Sequence, residues 1–171
     1  MPLPEPLATA FATLALAPAM VEHPPLRTVP DAHEFWDPLP GLGVKNLFIK
    51  DAGKQYWLVV IPADRSVDTK ILATTIGSKR ISFGSADDLV RILGVEPGSV
   101  TPLAMINDTE KQVRLVLDAA MLDAASVLVH PLVNTATLIM PPADLLRFLT
   151  HCAVTPEIID LSPAFRDIGA A

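Results

Sequence analysis

The sequence predicts an α/β (α+β) domain in which helices flank one mixed, largely buried β-sheet. Three observations carry that expectation. Short apolar or alternating segments rich in Val, Ile, Leu and Phe are interleaved with short amphipathic segments bounded by capping residues. The two kinds of segment follow no regular β-α-β order, and no internal repeat or low-complexity stretch interrupts them. The chain has 171 residues, of which 50% are hydrophobic and 19% charged. That is enough to bury about two-thirds of the surface the unfolded chain exposes, so a single compact domain over 1–171 is expected.

The elements follow in order. Pro6 to Val21 carries no charge, but Thr9, Thr13 and Pro18 interrupt it. It is shorter than the roughly 20 residues of a membrane span, and only Glu5 precedes it where a secretory signal wants positive charge. It reads as a buried first helix. The segment around Pro24, Pro25 and Pro30 is extended, because proline moves the preceding residue out of helical geometry. DAHEFW begins a short helix with Asp31 as N-cap. A glycine loop, LPGLGV, leads into the strand KNLFIKD, and the turn DAGK returns it as QYWLVVIPA, a hairpin whose second strand is apolar on both faces. A helix starts at Asp68 or Thr69 and ends at Gly77. Another runs from Ser85, which caps it, through Asp87 and Asp88 to Gly94. Gly98 and Pro102 mark a bent connection into an apolar strand. QVRLVLD, SVLVHP and TATLIM are further strands, PADLLRFLTHC is a helix opened by Pro142, and EIIDL is a last short strand.

Composition excludes several function classes. Cys152 is the one cysteine, so no disulfide framework exists within the chain, and a reducing, cytoplasmic setting is the default expectation. The four histidines have no ligand spacing, so neither a metal nor another cofactor is expected. The formal net charge is -6, which on its face disfavours nucleic acid, but the charge is uneven. Lys45 to Arg80 holds Lys45, Lys50, Lys54, Arg65, Lys70, Lys79 and Arg80 against Asp51, Asp64 and Asp68, a local excess of positive charge. That bias reads either as a solvated face or as a polyanion site.

No motif supplies a covalent mechanism. There is no G-x-S-x-G elbow, no G-x-x-x-x-G-K-[ST] loop and no G-x-G-x-x-G, and Cys152 lies in an apolar helix where a thiol packs. What remains are polar residues at strand edges. Lys45 and Asn46 start a strand after a glycine loop, where they are either surface residues or reach a site above the sheet. His130 ends an apolar strand before Pro131, as a packed or a functional histidine, and His23 has the same two readings. Gly98 and Pro102 punctuate a turn, and a glycine-led loop can also aim N–H groups at an oxygen.

The segments VEHPPLRTV, KNLFIKD, GSKRISFGSADDLVRILGVEPGSVTPLAMINDT and VLVHPLVNTATLIMPPADLLRFL, in that order, resemble the prolyl-tRNA editing (YbaK-like) family of aminoacyl-tRNA deacylases. Within it they are most similar to the free-standing alanyl-tRNA(Pro) deacylase branch (ProXp-ala). The resemblance covers about Val21 to Leu161. It implies a mixed sheet curled toward a barrel, like the editing domain inserted in bacterial prolyl-tRNA synthetases. It also implies hydrolysis of the ester joining alanine to proline tRNA, with water as attacker assisted by a ribose hydroxyl. By the family pattern, Lys45 matches the essential lysine, Asn46 its neighbour at the site, Gly98 to Pro102 the G-x-x-x-P loop that includes Ser99, and His130 the histidine of H-P-L-x-N. Lys50, Lys79 and Arg80 then become the acceptor-stem track, with the aminoacylated end of tRNA as partner and prolyl-tRNA synthetase as a further candidate. No DNA and no membrane is implied. Val44 stands where the family has a small or polar residue, and the first helix lacks the usual glycine before its strand, with Pro18 nearby instead; both departures concern the mouth of the pocket. The alternatives are a deacylase for cysteine or serine on the wrong tRNA, and a non-catalytic module that binds aminoacyl-tRNA or a synthetase.

Overall fold

The computed structural model describes residues 1–166. Its centre is an eight-stranded mixed sheet ordered β1-β8-β7-β2-β3-β6-β9, with β5 also paired to β2. Here β1 is Ala19–Glu22, β2 Leu42–Asp51, β3 Tyr56–Pro62, β5 Ile81–Phe83, β6 Val113–Asp118, β7 Val127–Val129, β8 Ala136–Met140 and β9 Glu157–Ile159. β2 pairs antiparallel with β3 and β5 but parallel with β7, and β3–β6 and β6–β9 are also parallel. A separate two-stranded pair joins β4, Ser66–Val67, to β10, Phe165–Arg166.

The sheet is mixed because β2 and β3 form the expected hairpin while β6, β7 and β9 return through crossovers. The Asp51 carboxylate fixes the hairpin turn, accepting from the Gly53 N–H at 2.8 Å and the Gln55 N–H at 3.1 Å. Every residue of β3 is buried, as its unbroken apolar run requires of a strand covered on both faces. On one face lie α1, Leu7–Leu14, α4, Ala86–Leu93, α5, Ala120–Asp123, and α6, Pro142–His151, whose side chains join Phe48, Leu58 and Val60 in the larger core. Phe11 of α1 meets Phe148 of α6 edge to face, 5.7 Å between ring centres. On the other face α3, Thr69–Ile76, covers Ile49, Trp57 and Ile61. A third cluster joins α2, Val29–Trp36, through Ala32 and Trp36 to Ala63 and Leu128.

Caps define α3 and α4 as the sequence indicates. Asp68 accepts from the Lys70 and Ile71 N–H groups, Ser85 accepts from Asp88, and Gly77 and Gly94 close the two helices with φ of 73° and 64°.

Several local expectations are corrected. The N-cap of α2 is Thr28, not Asp31: Thr28 accepts from the Asp31 N–H while the Asp31 carboxylate accepts from the Thr28 N–H, a reciprocal capping box three residues earlier. Pro30 lies inside the first turn, where a missing N–H costs nothing. Pro102 to Asn107 is a 3₁₀ helix rather than a strand, because Thr101 caps the Leu103 N–H and Pro102 presets the first turn. β2 begins at Leu42, so Lys45 is not at the start of its strand; Leu42 and Gly43 are drawn into the sheet by pairing with β7. EIIDL is not the last strand, since β10 follows it, and β4, β5 and α5 add short elements that carry no strong local signal.

Candidate active site

One end of β2 opens into a cleft of about 210 Å³. Val44, Lys45 and Asn46 form its floor, Leu26 to Val29 with Ala32 and Trp36 one wall, and Gly98, Val100 and His130 the other. Lys45, Asn46, Gly98 and His130, separated by up to 85 positions in sequence, are thereby brought to one place.

The proline-rich wall is held by hydrogen bonds to residues 134 and 135. Leu26 donates its N–H to the Asn134 carbonyl at 3.0 Å, the Asn134 amide donates to the Leu26 carbonyl at 3.2 Å, and the His23 N–H donates to Thr135 at 2.9 Å. Behind the wall runs a polar chain. Trp36 Nε1 donates to Thr137 Oγ1 at 3.0 Å, Thr137 Oγ1 lies 2.8 Å from His23 Nε2, and His23 Nδ1 lies 2.9 Å from the Pro24 carbonyl. With the His23 proton on Nδ1 every bond has a donor and an acceptor, so His23 orients the wall rather than facing the cleft. Gly43 lets Trp36 settle on β2: a Cβ there would lie 2.7 Å from Trp36 Cε3.

His130 is buried, and its Nδ1 donates to the Ala136 carbonyl at 2.9 Å. Burial holds its pKa below the ordinary histidine value, helped by nearby His23 and opposed by the Ala136 bond. The imidazole is therefore neutral at pH 7, and Nε2 remains as an acceptor. Lys45 is half-buried, and loss of solvent lowers its pKa against the opposing pull of Asp64. Asn46 Oδ1 is sealed from solvent and accepts no hydrogen bond among the described residues. A buried acceptor left without a donor costs about 1–3 kcal/mol, which marks this atom as one that a ligand would complete.

Gly98 has φ 91°, a conformation that glycine adopts without strain. The Ser99 N–H is already given to the Glu96 carbonyl at 3.0 Å. Gly98 and Val100 line the cleft, and neither N–H has a backbone acceptor among the described residues. Ser99 and Pro102 are buried and do not line the cleft; they hold the loop from behind. Lys50 and Arg80 meet farther along β2, around a separate hollow shared with Ser82, and exposed Lys79 lies beside Arg80.

Sequence reasoning missed Arg27, Thr28 and Trp36 as lining residues and Asn134 as the clasp of the wall. Only the clustering of prolines before DAHEFW hinted that this segment has a fixed path. Among the described residues no group of three His, Cys, Asp or Glu side chains could hold a metal ion, and no helix is long and apolar enough to cross a membrane.

Residues 23–148 match the aminoacyl-tRNA editing domain family. The chain is 34% identical over 143 residues to the prolyl-tRNA editing protein ProX of Acetoanaerobium sticklandii, covering 83% of this chain and 87% of that protein. It is 36% identical over 155 residues to prolyl-tRNA synthetase associated domain-containing protein 1 of Bos taurus, covering 88% and 90%. The fold matches the crystal structure of a candidate trans-editing enzyme for prolyl tRNA synthetase with TM-score 0.69 at 17% identity, over 94% of each chain. It also matches hypothetical protein APE2540 with TM-score 0.72 at 21% identity, over 90% of this chain and 97% of the other. The family match encloses every residue that lines the cleft, so the chain belongs to the aminoacyl-tRNA editing domain family and is an aminoacyl-tRNA deacylase.

Proposed function

We propose that the chain acts in trans on alanyl-tRNA(Pro), hydrolysing the ester between alanine and the terminal ribose. The observation that carries this reading is the pairing, in one cleft, of a buried acceptor without a donor, Asn46 Oδ1, and a half-buried ammonium, Lys45. An aminoacyl ester on a terminal adenosine complements both. Its α-ammonium group donates N–H bonds, and its phosphate and carbonyl offer negative charge, present or developing. Proline tRNA as the carrier is supported by the similarity to the prolyl-tRNA editing protein ProX.

In the reaction, water adds to the ester carbonyl carbon, the bond from that carbon to the ribose oxygen breaks, and the proton lost by water ends on the departing ribose hydroxyl. An ester needs no strong nucleophile, so position and charge carry the rate. With its amide turned so that the oxygen faces the cleft, Asn46 accepts from the α-ammonium, Lys45 meets the phosphate or the oxyanion, and the Gly98 and Val100 N–H groups polarise the carbonyl. His130 Nε2, an acceptor only, takes a hydrogen bond from the attacking water.

Selection follows from size. Leu26, Val29, Trp36 and Val100 are apolar walls above the Val44 floor, and Trp36 is fixed by its bond to Thr137. Alanine presents one methyl, whereas the proline ring must push such walls aside at a cost of about 1–3 kcal/mol or more. Serine fits by volume, and its hydroxyl goes without a partner.

Single-turnover deacylation of alanine, serine, cysteine and proline, each carried on the same proline tRNA, tests the reading. Alanine is expected to be released fastest and proline spared. Proline released as fast as alanine would remove the size argument, and release of none would refute the reaction.

A further inference from the structure

Among the described residues Phe83 is the most exposed large hydrophobic, 66% accessible, and it sits on β5, the three-residue strand at the outer edge of β2. Position 83 is opposite Ile49, and position 81 is opposite Asp51. Lys45, Leu47 and Ile49 alternate onto one face of β2, so the face that begins at Lys45 continues to Phe83. An apolar groove of about 290 Å³ lies along it, lined by Leu47, Ile49, Val67, Leu72, Ile81 and Phe83. On the other side of the thin β5 rim is the hollow lined by Lys50, Arg80 and Ser82. Among the described residues Lys50, Lys79 and Arg80 make no ion pair, whereas Arg91, Arg114, Arg147 and Arg166 each have a carboxylate partner. The Lys50 ammonium lies over the Tyr56 ring, 5.1 Å from its centre, so these cations stand across the β5 rim from the exposed ring.

We infer that Phe83 is a stacking platform for an unpaired base near the 3′ end of the tRNA. The inference rests on the deacylase reading above. The occupant is identified by charge and by continuity with the cleft. A ring this exposed, with cations across one thin strand from it, suits a ligand that is apolar and flat on one part and anionic on another, as a nucleotide is. Its distance from the site also fits. Lys45 to Ile49 spans about 13 Å of strand, a distance that the few nucleotides of a single-stranded 3′ end can cover. With the terminal adenosine at Lys45, an unpaired base a few nucleotides upstream crosses the β5 rim. There its phosphate meets Lys50 or Arg80 and its ring lies on Phe83.

The test uses the intact protein and an uncharged acceptor-stem minihelix with its single-stranded 3′ end, titrated at low salt by fluorescence anisotropy. Aromatic stacking contributes about 1–3 kcal/mol per base on alanine substitution, so Phe83→Ala is expected to weaken binding about 5- to 150-fold. Phe83→Leu, which keeps apolar bulk and loses the ring, is expected to weaken it similarly, while Phe83→Trp keeps wild-type affinity or improves on it. On a blunt-ended stem the four proteins are expected to bind equally. Unfolding curves check the fold, which a side chain this exposed scarcely supports. Equal affinities on the single-stranded end, rescue by leucine, or no binding of the minihelix by wild-type protein would overturn the inference. Because the minihelix is uncharged, binding is scored apart from hydrolysis. A protein that deacylates normally with unchanged Phe83 variants refutes the platform alone, and one that binds through Phe83 without hydrolysing refutes the reaction alone.

Discussion

Gly43→Ala tests the idea that the wall of the cleft depends on a missing side chain. Gly43 lies in β2, and a Cβ added there would sit 2.7 Å from Trp36 Cε3 and 3.2 Å from Cζ3. Comfortable carbon–carbon contact is about 3.5–4.0 Å, so the indole must retreat by about 1 Å. Its Nε1 is 3.0 Å from Thr137 Oγ1, and that retreat takes the bond out of range. Overpacking costs about 1–3 kcal/mol and the lost bond about 1 kcal/mol, together about 2–4 kcal/mol. For a chain of this size each kcal/mol lowers Tm by about 2–4 °C, so a fall of roughly 4–16 °C is expected by thermal unfolding. Gly43 has no positive φ, so alanine should otherwise be tolerated or even stabilise the strand by about 0.5–1 kcal/mol. The decisive comparison is therefore the Trp36→Leu background, where the same alanine should be harmless and the two substitutions should couple by about 1–3 kcal/mol. Deacylation by Gly43→Ala should fall as well, because Trp36 lines the cleft. Full stability of Gly43→Ala, or a destabilisation unchanged by Trp36→Leu, would refute the reasoning.

Three further outcomes are expected. Lys45→Ala should lower single-turnover deacylation by about 100-fold or more while leaving the unfolding curve near wild type; a near wild-type rate would remove Lys45 from the chemistry. Burial lowers the His130 pKa in the folded protein, so the neutral form is favoured there, and the stability it contributes is complete above the unfolded value near 6.5. That stability is lost as pH falls through the folded pKa, so Tm measured from pH 7.5 to 5 should drop more steeply in wild type than in His130→Asn, and parallel curves would contradict the assignment. Lys50→Ala and Arg80→Ala should each reduce the dependence of log affinity for tRNA on log salt by about 0.7–0.9, and two unchanged slopes would make the basic segment a solvated face.

The sequence by itself determined the local elements, because caps, alternation and glycine stops act within a few residues. Asp68, Ser85, Gly77 and Gly94 bound their helices, and the apolar run of β3 is buried on both faces. The cleft residues were legible in another way: Lys45, Asn46, Gly98 and His130 stood out through the order of several motifs, since no single spacing among them specifies a site. Tertiary structure decided what depends on partners distant in the chain. β2 starts at Leu42 because β7 is there to accept it, and Pro102–Asn107 winds into a 3₁₀ helix that buries Leu103, Ala104 and Met105 within the core, although its composition suits a strand. Thr28 and Asp31 lie close enough for a local rule to have found their capping box, but the surrounding prolines masked it. Trp36 and Asn134 belong to the site only because hydrogen bonds between the 23–26 and 134–135 segments close the wall over β2. Such contacts join residues about 110 positions apart, and only the packed sheet brings them into register, since local propensity falls silent beyond a few residues.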